Sequence, residues 1–177
     1  ELGLVGSEMC IRDSFDSWIE SIQEKLEKKL PGYEVGITSF SKDETKAVVV
    51  TYSDKSRGTY YYYDVENDKL TELGKISPWL NEDHMAEMKP IKYKSRDGLT
   101  IHGYLTLPKG SNGKNLPVVV NPHGGPWARD TWGYKSEIQF LANRGYAVFQ
   151  MNFRGSTGYG RKFWEISASD FPFTLFQ

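Results

Sequence analysis

The stretch that decides the fold is Leu116-Pro117-Val118-Val119-Val120-Asn121-Pro122-His123-Gly124-Gly125-Pro126-Trp127, an apolar run that passes straight into His-Gly-Gly-Pro. A short β-branched run bounded by Pro and Gly reads as a buried strand of a parallel sheet. Two glycines at the carboxyl end of such a strand let backbone N–H groups turn toward a cavity, as an oxyanion hole requires. Two features are missing beside it. The sequence holds no Gly-x-Ser-x-Gly elbow, and no histidine follows His123. Donors for a developing negative charge are legible here; an attacking group and its base are not.

Composition narrows the classes. At 177 residues the chain has room for one ordinary domain or parts of two. Hydrophobic residues at 38% and charged residues at 25% describe a globular chain able to bury a core. A formal net charge of -1 gives no electrostatic reason to expect nucleic acid or an anionic membrane as partner. No apolar stretch approaches the roughly 20 residues of a membrane span. No basic region leads into an apolar core as in a signal peptide, and the compartment stays open. A single cysteine, Cys10, permits neither an internal disulfide nor a cysteine-built zinc site. Three histidines without ligand spacing point away from a metal, and no cofactor is expected.

Working outward toward the N-terminus, Phe15, Trp18, Ile19, Ile22, Leu26 and Leu30 recur every three to four residues, which is one face of a helix over residues 15–32. Ser17 and Glu20 have the spacing of a capping box, and Pro31-Gly32 stops the helix. From residue 33 to 74 the period shortens. Strands are expected at Glu34–Phe40, Ala47–Tyr52, Thr59–Asp64 and Lys69–Leu73, separated by runs rich in Ser, Asp, Asn and Gly. Four antiparallel strands over about 40 residues is the size of one β-propeller blade. Tyr60-Tyr61-Tyr62-Tyr63 puts phenols on both faces of its strand, where cross-strand packing is their expected use. Residues 75–88 read as a connector. In it Pro78-Trp79 is expected to anchor in a groove, and His84 to lie in a solvated helix start.

A second architecture begins at residue 89. Ile91–Lys94 and Thr100–Leu107 form a hairpin around Asp97-Gly98. Val118–Asn121 is the apolar strand, and Lys135–Asn143 a helix with Ile138 and Leu141 inward. Gly145 closes that helix in the left-handed conformation. Tyr146–Asn152 is a further apolar strand, ending at Phe153-Arg154-Gly155-Ser156-Thr157-Gly158-Tyr159-Gly160. Antiparallel strands followed by strand–helix–strand is how an α/β-hydrolase domain opens. The glycines after Arg154 lack the Gly-x-Gly-x-x-Gly order, so phosphate binding is not expected there.

Both ends stand apart from this pattern. Met9-Cys10-Ile11-Arg12-Asp13-Ser14 back-translates to a transposon-end adapter used in sequencing libraries, and residues 1–14 are read as that adapter translated in frame. A helical pattern starts at Lys162, and residues 168–177 break it with Asp170 and Pro172. They are read as an off-frame or truncated end.

Residues from about Trp18 to Ser167 resemble the prolyl oligopeptidase family of serine peptidases, in its acylaminoacyl-peptidase and dipeptidyl-peptidase-like branch. The likeness is carried by Lys94-Ser95-Arg96-Asp97-Gly98-Leu99-Thr100-Ile101-His102-Gly103-Tyr104-Leu105 and Asn121-Pro122-His123-Gly124-Gly125-Pro126-Trp127. Asn143-Arg144-Gly145-Tyr146-Ala147-Val148 and Asn152 to Gly160 complete it. The resemblance implies a mixed architecture. The last blade of a β-propeller (33–74) would be followed by the N-terminal part of an α/β-hydrolase peptidase domain (89–167). It implies cofactor-free cleavage of peptides through a Ser-His-Asp acyl-enzyme, with all three triad members downstream of Gly160. The stretch would then be inactive alone, and its partners would be a peptide substrate and the remainder of its own propeller and hydrolase domain.

Roles follow the matching positions. The resemblance puts one oxyanion donor at the main-chain N–H of Gly125, with Gly124 next. His123 would brace that turn rather than act as a base. Arg154 would face a substrate carbonyl or carboxylate, or form a structural salt bridge; with His123 it is the candidate for contact on the substrate side. His102 is expected to be a strand residue. Ser156 is not expected to be the nucleophile, because Arg154 stands where an elbow needs glycine. The competing readings are a carboxylesterase of the same fold and a non-catalytic, hydrolase-like binding domain.

Overall fold

The structure, a computed structural model, describes residues 17–125 and 127–170, with side chains through residue 166. The readings made of residues 1–14, of Phe15 on the helical face, of Pro126 and of residues 171–177 lie outside the described residues. The chain divides into two compact units between His84 and Met85.

In the first unit the helical period produces α1 (Ser17–Lys29). Ser17 is its first helical residue and Glu20 lies in its first turn, where a carboxylate complements the exposed N–H groups. Ile22 and Leu26 are fully buried, with Trp18 and Leu30 packed beside them. Four strands follow as a meander: β1 (Glu34–Phe40), β2 (Lys46–Tyr52), β3 (Thr59–Asp64) and β4 (Lys69–Lys75), each antiparallel to the next. Alternation along β2 sends Ala47, Val49 and Thr51 to the covered face. Opposite them, Tyr63 and Tyr61 pair with Ala47 and Val49.

The four tyrosines divide as a strand dictates. Tyr63 is fully buried, whereas Tyr60 is exposed. The Tyr63 hydroxyl donates to Asp68 at 2.6 Å, and Asp68 pairs with Lys29 at 3.0 Å. That relay ties the β3–β4 turn to the end of α1. Burial and the Asp68 carboxylate raise the Tyr63 phenol well above its ordinary range. Tyr33 donates to Glu82 at 2.8 Å, and burial first, then that carboxylate, pushes it up to about 12.

One expectation about the connector fails. Trp79 is 75% exposed, so Pro78-Trp79 does not anchor in a groove. The tight turn in which the Leu80 N–H returns to the Ser77 carbonyl turns the indole outward instead. His84 closes a single 3-10 turn, Glu82–His84, and is solvated.

The second unit opens with β5 (Met88–Lys94) and β6 (Thr100–Thr106), an antiparallel pair in full register. Pro90 sits inside β5 because β5 is the sheet's edge, where a missing N–H costs no ladder bond. The hairpin turn runs from Ser95 to Gly98, whose N–H returns to the Ser95 carbonyl. Next come β7 (Val118–Val120), α2 (Ser136–Asn143) and β8 (Ala147–Asn152). The sheet order is β5-β6-β8-β7, with β8 antiparallel to β6 and parallel to β7.

The expectation of a buried β7 needs correction. Val118 is 57% and Val120 52% exposed. Among the described residues β7 has a single hydrogen-bonded neighbour, β8, so its two faces lack flanking side chains on the other side. β8 is the buried parallel strand: Val148, Gln150 and Asn152 are sealed on one face.

α2 ends as its sequence dictates. The Gly145 N–H reaches Ala142 O and the Tyr146 N–H reaches Leu141 O, the double bond of a Schellman cap, with Gly145 at φ 91°. Ile138 is buried against Met88, Tyr104 and Val148. Gln139 brackets Ala86, accepting from its N–H and donating to its carbonyl, both at 2.8 Å. α3 (Arg161–Asp170) runs three residues beyond the expected break at 167.

Candidate active site

Because β7 and β8 run parallel, the loops that leave their carboxyl ends emerge on the same side of the sheet, where sites gather in open α/β folds. His123 leaves β7 and Ser156 follows β8, and the two meet. His123 Nε2 lies 2.8 Å from Ser156 Oγ, and Nδ1 lies 2.8 Å from Gly124 O. The Phe153 ring stacks on the imidazole at 4.4 Å and 16°. Three contacts thus hold one ring by its face and both nitrogens.

Gly124 and Gly125 are both exposed. Gly125 has φ 131°, and a Cβ there would stand 2.9 Å from Trp127 N and 3.2 Å from Ala128 N. Only glycine fits that bend. At Gly124 an added Cβ would meet nothing. Among the described residues, neither glycine N–H donates to a backbone carbonyl. Such amides are available to an incoming oxyanion.

A Ser-His contact of 2.8 Å is the distance of a nucleophile and its base, but the surroundings of this pair differ from that arrangement. Ser156 is fully buried, and its hydroxyl also donates to Phe153 O at 2.6 Å. The other imidazole nitrogen faces a carbonyl, not the carboxylate that orients a base.

Arg154 is 4% exposed, and its guanidinium lies 2.8 Å from Asp97 Oδ2 in the β5–β6 turn. Of its two expected uses, the structure displays the structural ion pair. Hydrogen bonds from Arg154 and then Ser95 hold the Asp97 carboxyl well below the usual carboxylate range. Ser95 also stands 3.5 Å from Arg154 Nη2.

Other polar groups stitch the two loops together. Asn152, fully buried at the end of β8, accepts from the Asp130 N–H at 2.7 Å. It donates to Asp130 O at 3.0 Å and to the Tyr159 hydroxyl at 2.7 Å. Asp130 in turn pairs with Lys135 before α2, and the Thr157 N–H donates to Ala128 O. Tyr159 stacks on His102 at 4.7 Å, and the Arg129 guanidinium carbon lies 5.3 Å from the centroid of the same Tyr159 ring. His102 is therefore a half-buried strand residue held by an aromatic face.

Sequence reasoning singled out His123, Gly124, Gly125 and Arg154 and gave Asp97 a place in the hairpin turn, but gave no role to Asn152 or Asp130 and no ion-pair role to Asp97. The one available signal was a polar pair, Gln150 and Asn152, inside an otherwise apolar strand.

Set against known proteins, this arrangement falls among peptidases. Residues 132–170 match the model of the prolyl oligopeptidase family. The chain is 39% identical over 155 residues to dipeptidyl aminopeptidase BIII of Pseudoxanthomonas mexicana, covering 84% of this chain and 22% of that relative. It is 29% identical over 168 residues to dipeptidyl peptidase family member 6 of Caenorhabditis elegans, covering 83% and 23%. Among solved structures, a puromycin-hydrolyzing peptidase of Mycobacterium tuberculosis superposes with a TM-score of 0.56 at 26% identity, covering 69% of this chain and 20% of that one. The acylaminoacyl peptidase of Pyrococcus horikoshii gives 0.55 at 27%, covering 72% and 20%. The chain belongs to the prolyl oligopeptidase family. It spans about a fifth of the length of the relatives it matches.

Proposed function

We propose that this stretch supplies the oxyanion-binding edge of a serine peptidase that cleaves peptide bonds through a Ser-His-Asp acyl-enzyme. Residues 33–74 are then the last propeller blade, 75–88 the connector and 89–167 the opening of the α/β-hydrolase domain. The triad comes from elsewhere in the longer protein, since no Gly-x-Ser-x-Gly occurs and no histidine follows His123. The observation that carries this reading is the turn at Gly125. Its φ of 131° and the 2.9 Å limit on a Cβ demand glycine, and its N–H is unclaimed by backbone among the described residues. Gly124 is the second candidate donor.

Acyl transfer puts negative charge on the carbonyl oxygen as the tetrahedral intermediate forms, and a preorganised N–H stabilises it there. In the full-length enzyme, Gly125→Ala misplaces that donor. Loss of one oxyanion donor costs about 10²–10³ in kcat, and kcat on aminoacyl-nitroanilides is the measurement. A kcat within about threefold of the parent, well short of that donor loss, would remove Gly125 from the role.

A further inference from the structure

We infer that Ser156 is a positioning residue for the Gly125 amide, acting through the His123 ring and the Gly124 carbonyl. The inference rests on Gly125 being an oxyanion donor and adds what aims it.

The proton count sets the direction of each bond. Gly124 O can only accept, so the ring proton of His123 sits on Nδ1 and donates across 2.8 Å. In the neutral ring Nε2 is then an acceptor, and the group facing it at 2.8 Å is the Ser156 hydroxyl. That hydroxyl's single proton lies between two acceptors, Nε2 and Phe153 O at 2.6 Å, and is shared between them. Ser156 is fully buried, and its own N–H returns to Phe153 O at 3.0 Å, so its position is set by its turn. The same turn presents the Phe153 ring to the imidazole face. The segment from Phe153 to Ser156 therefore clamps His123 by one face and one edge, and the imidazole transmits that position to Gly124 O.

Peptide geometry completes the link. In a trans peptide the C=O and the following N–H lie in one plane and point in opposite directions. With Gly124 O drawn toward the imidazole, the Gly125 N–H is turned to the side away from His123. Two successive glycines would otherwise let that peptide plane rotate at small cost. An added Cβ at Gly124 would meet nothing within 4 Å, so no neighbour packs against the plane in that direction. The hydrogen bond from His123 supplies a restraint on it.

The test is heteronuclear NMR on the 177-residue chain. In the parent, the ring nitrogens of His123 are expected to show the proton on Nδ1, with a scalar coupling across the hydrogen bond to the Gly124 carbonyl carbon. In Ser156→Ala, both ring tautomers are expected, and the backbone order parameters at Gly124 and Gly125 fall from about 0.85 to below about 0.6. A parent ring protonated on Nε2, or lacking the coupling, overturns the inference without any variant, so a Ser156→Ala chain that fails to fold does not protect it. Unchanged ring and order parameters in a folded Ser156→Ala overturn it too. The oxyanion reading fails separately: if Gly125→Ala in the full-length enzyme keeps its kcat while the ring signals are as expected, the clamp stands and its catalytic purpose does not.

Discussion

At the scale of single residues, the second unit spends its buried polar groups on holding two loops to each other. Arg154 is the clearest case. A guanidinium taken out of water needs a counter-charge, and Asp97 supplies it from the neighbouring turn. The Asp97 carboxyl is held below the usual range, so the sign of its linkage is determined. Above a pH of about 4, near the ordinary carboxylate pKa, the folded and unfolded chains both carry the charge and the pair contributes in full. As pH falls from there toward the folded-state value, the unfolded chain takes up a proton that the folded chain refuses, and the contribution drains away. Urea midpoints measured across that range are expected to be lower for Asp97→Asn than for the parent at neutral pH, and to converge with it in acid. A constant offset at all pH values would show that Asp97 acts by shape and not by charge. His123 illustrates the same economy of polar groups: a residue type used elsewhere as a base is here occupied at both nitrogens.

At the scale of elements, propensity and packing agree wherever the pattern is long. α1 offers Ile22 and Leu26 one turn apart on the covered face. Leu26→Ala, at a site with no exposure, is expected to cost about 2–5 kcal/mol by lost transfer energy and the cavity left behind, read from denaturant unfolding of the chain. A cost below about 1 kcal/mol would mean that the helix does not pack as described. The stop of α2 makes a sharper test. Gly145 at φ 91° lets two N–H groups reach back to Leu141 and Ala142. Gly145→Ala is expected to destabilise by about 1–2 kcal/mol, the penalty for an L side chain in the left-handed region, although nothing crowds the added methyl. The boundaries of β1 and β3 follow directly from alternation and turn residues. β4 and β5 extend beyond their apolar cores, by Gly74-Lys75 and by Met88-Lys89-Pro90, because backbone pairing does not require an apolar side chain. Trp79, expected to anchor the connector in a groove, is exposed by the turn it occupies.

At the scale of the whole molecule, the chain carries a candidate oxyanion turn and no elbow serine. Purified as it stands, it is expected to show no turnover of aminoacyl-nitroanilides or esters above background. Turnover abolished by Ser156→Ala would make that buried serine a nucleophile and overturn the role assigned to it. By itself the sequence determined what depends on neighbours along the chain. The helical face from Trp18 to Leu30, the four-strand meander, the strand–helix–strand order and the glycine demanded after His123 all arise from local period, turn chemistry and steric limits on φ. It also carried the family likeness, through motifs in a definite order. Only the tertiary structure decided which long-range partner each polar group takes. It gave Arg154 to Asp97 and not to open solvent, joined Asn152 to Asp130, brought His123 onto Ser156 across 33 residues, and left Val118 and Val120 on an open edge. The physical reason is that burial and hydrogen-bond pairing are properties of what stands beside a residue in space, and the parallel placement of β7 beside β8 is what brings those residues within 3 Å of one another.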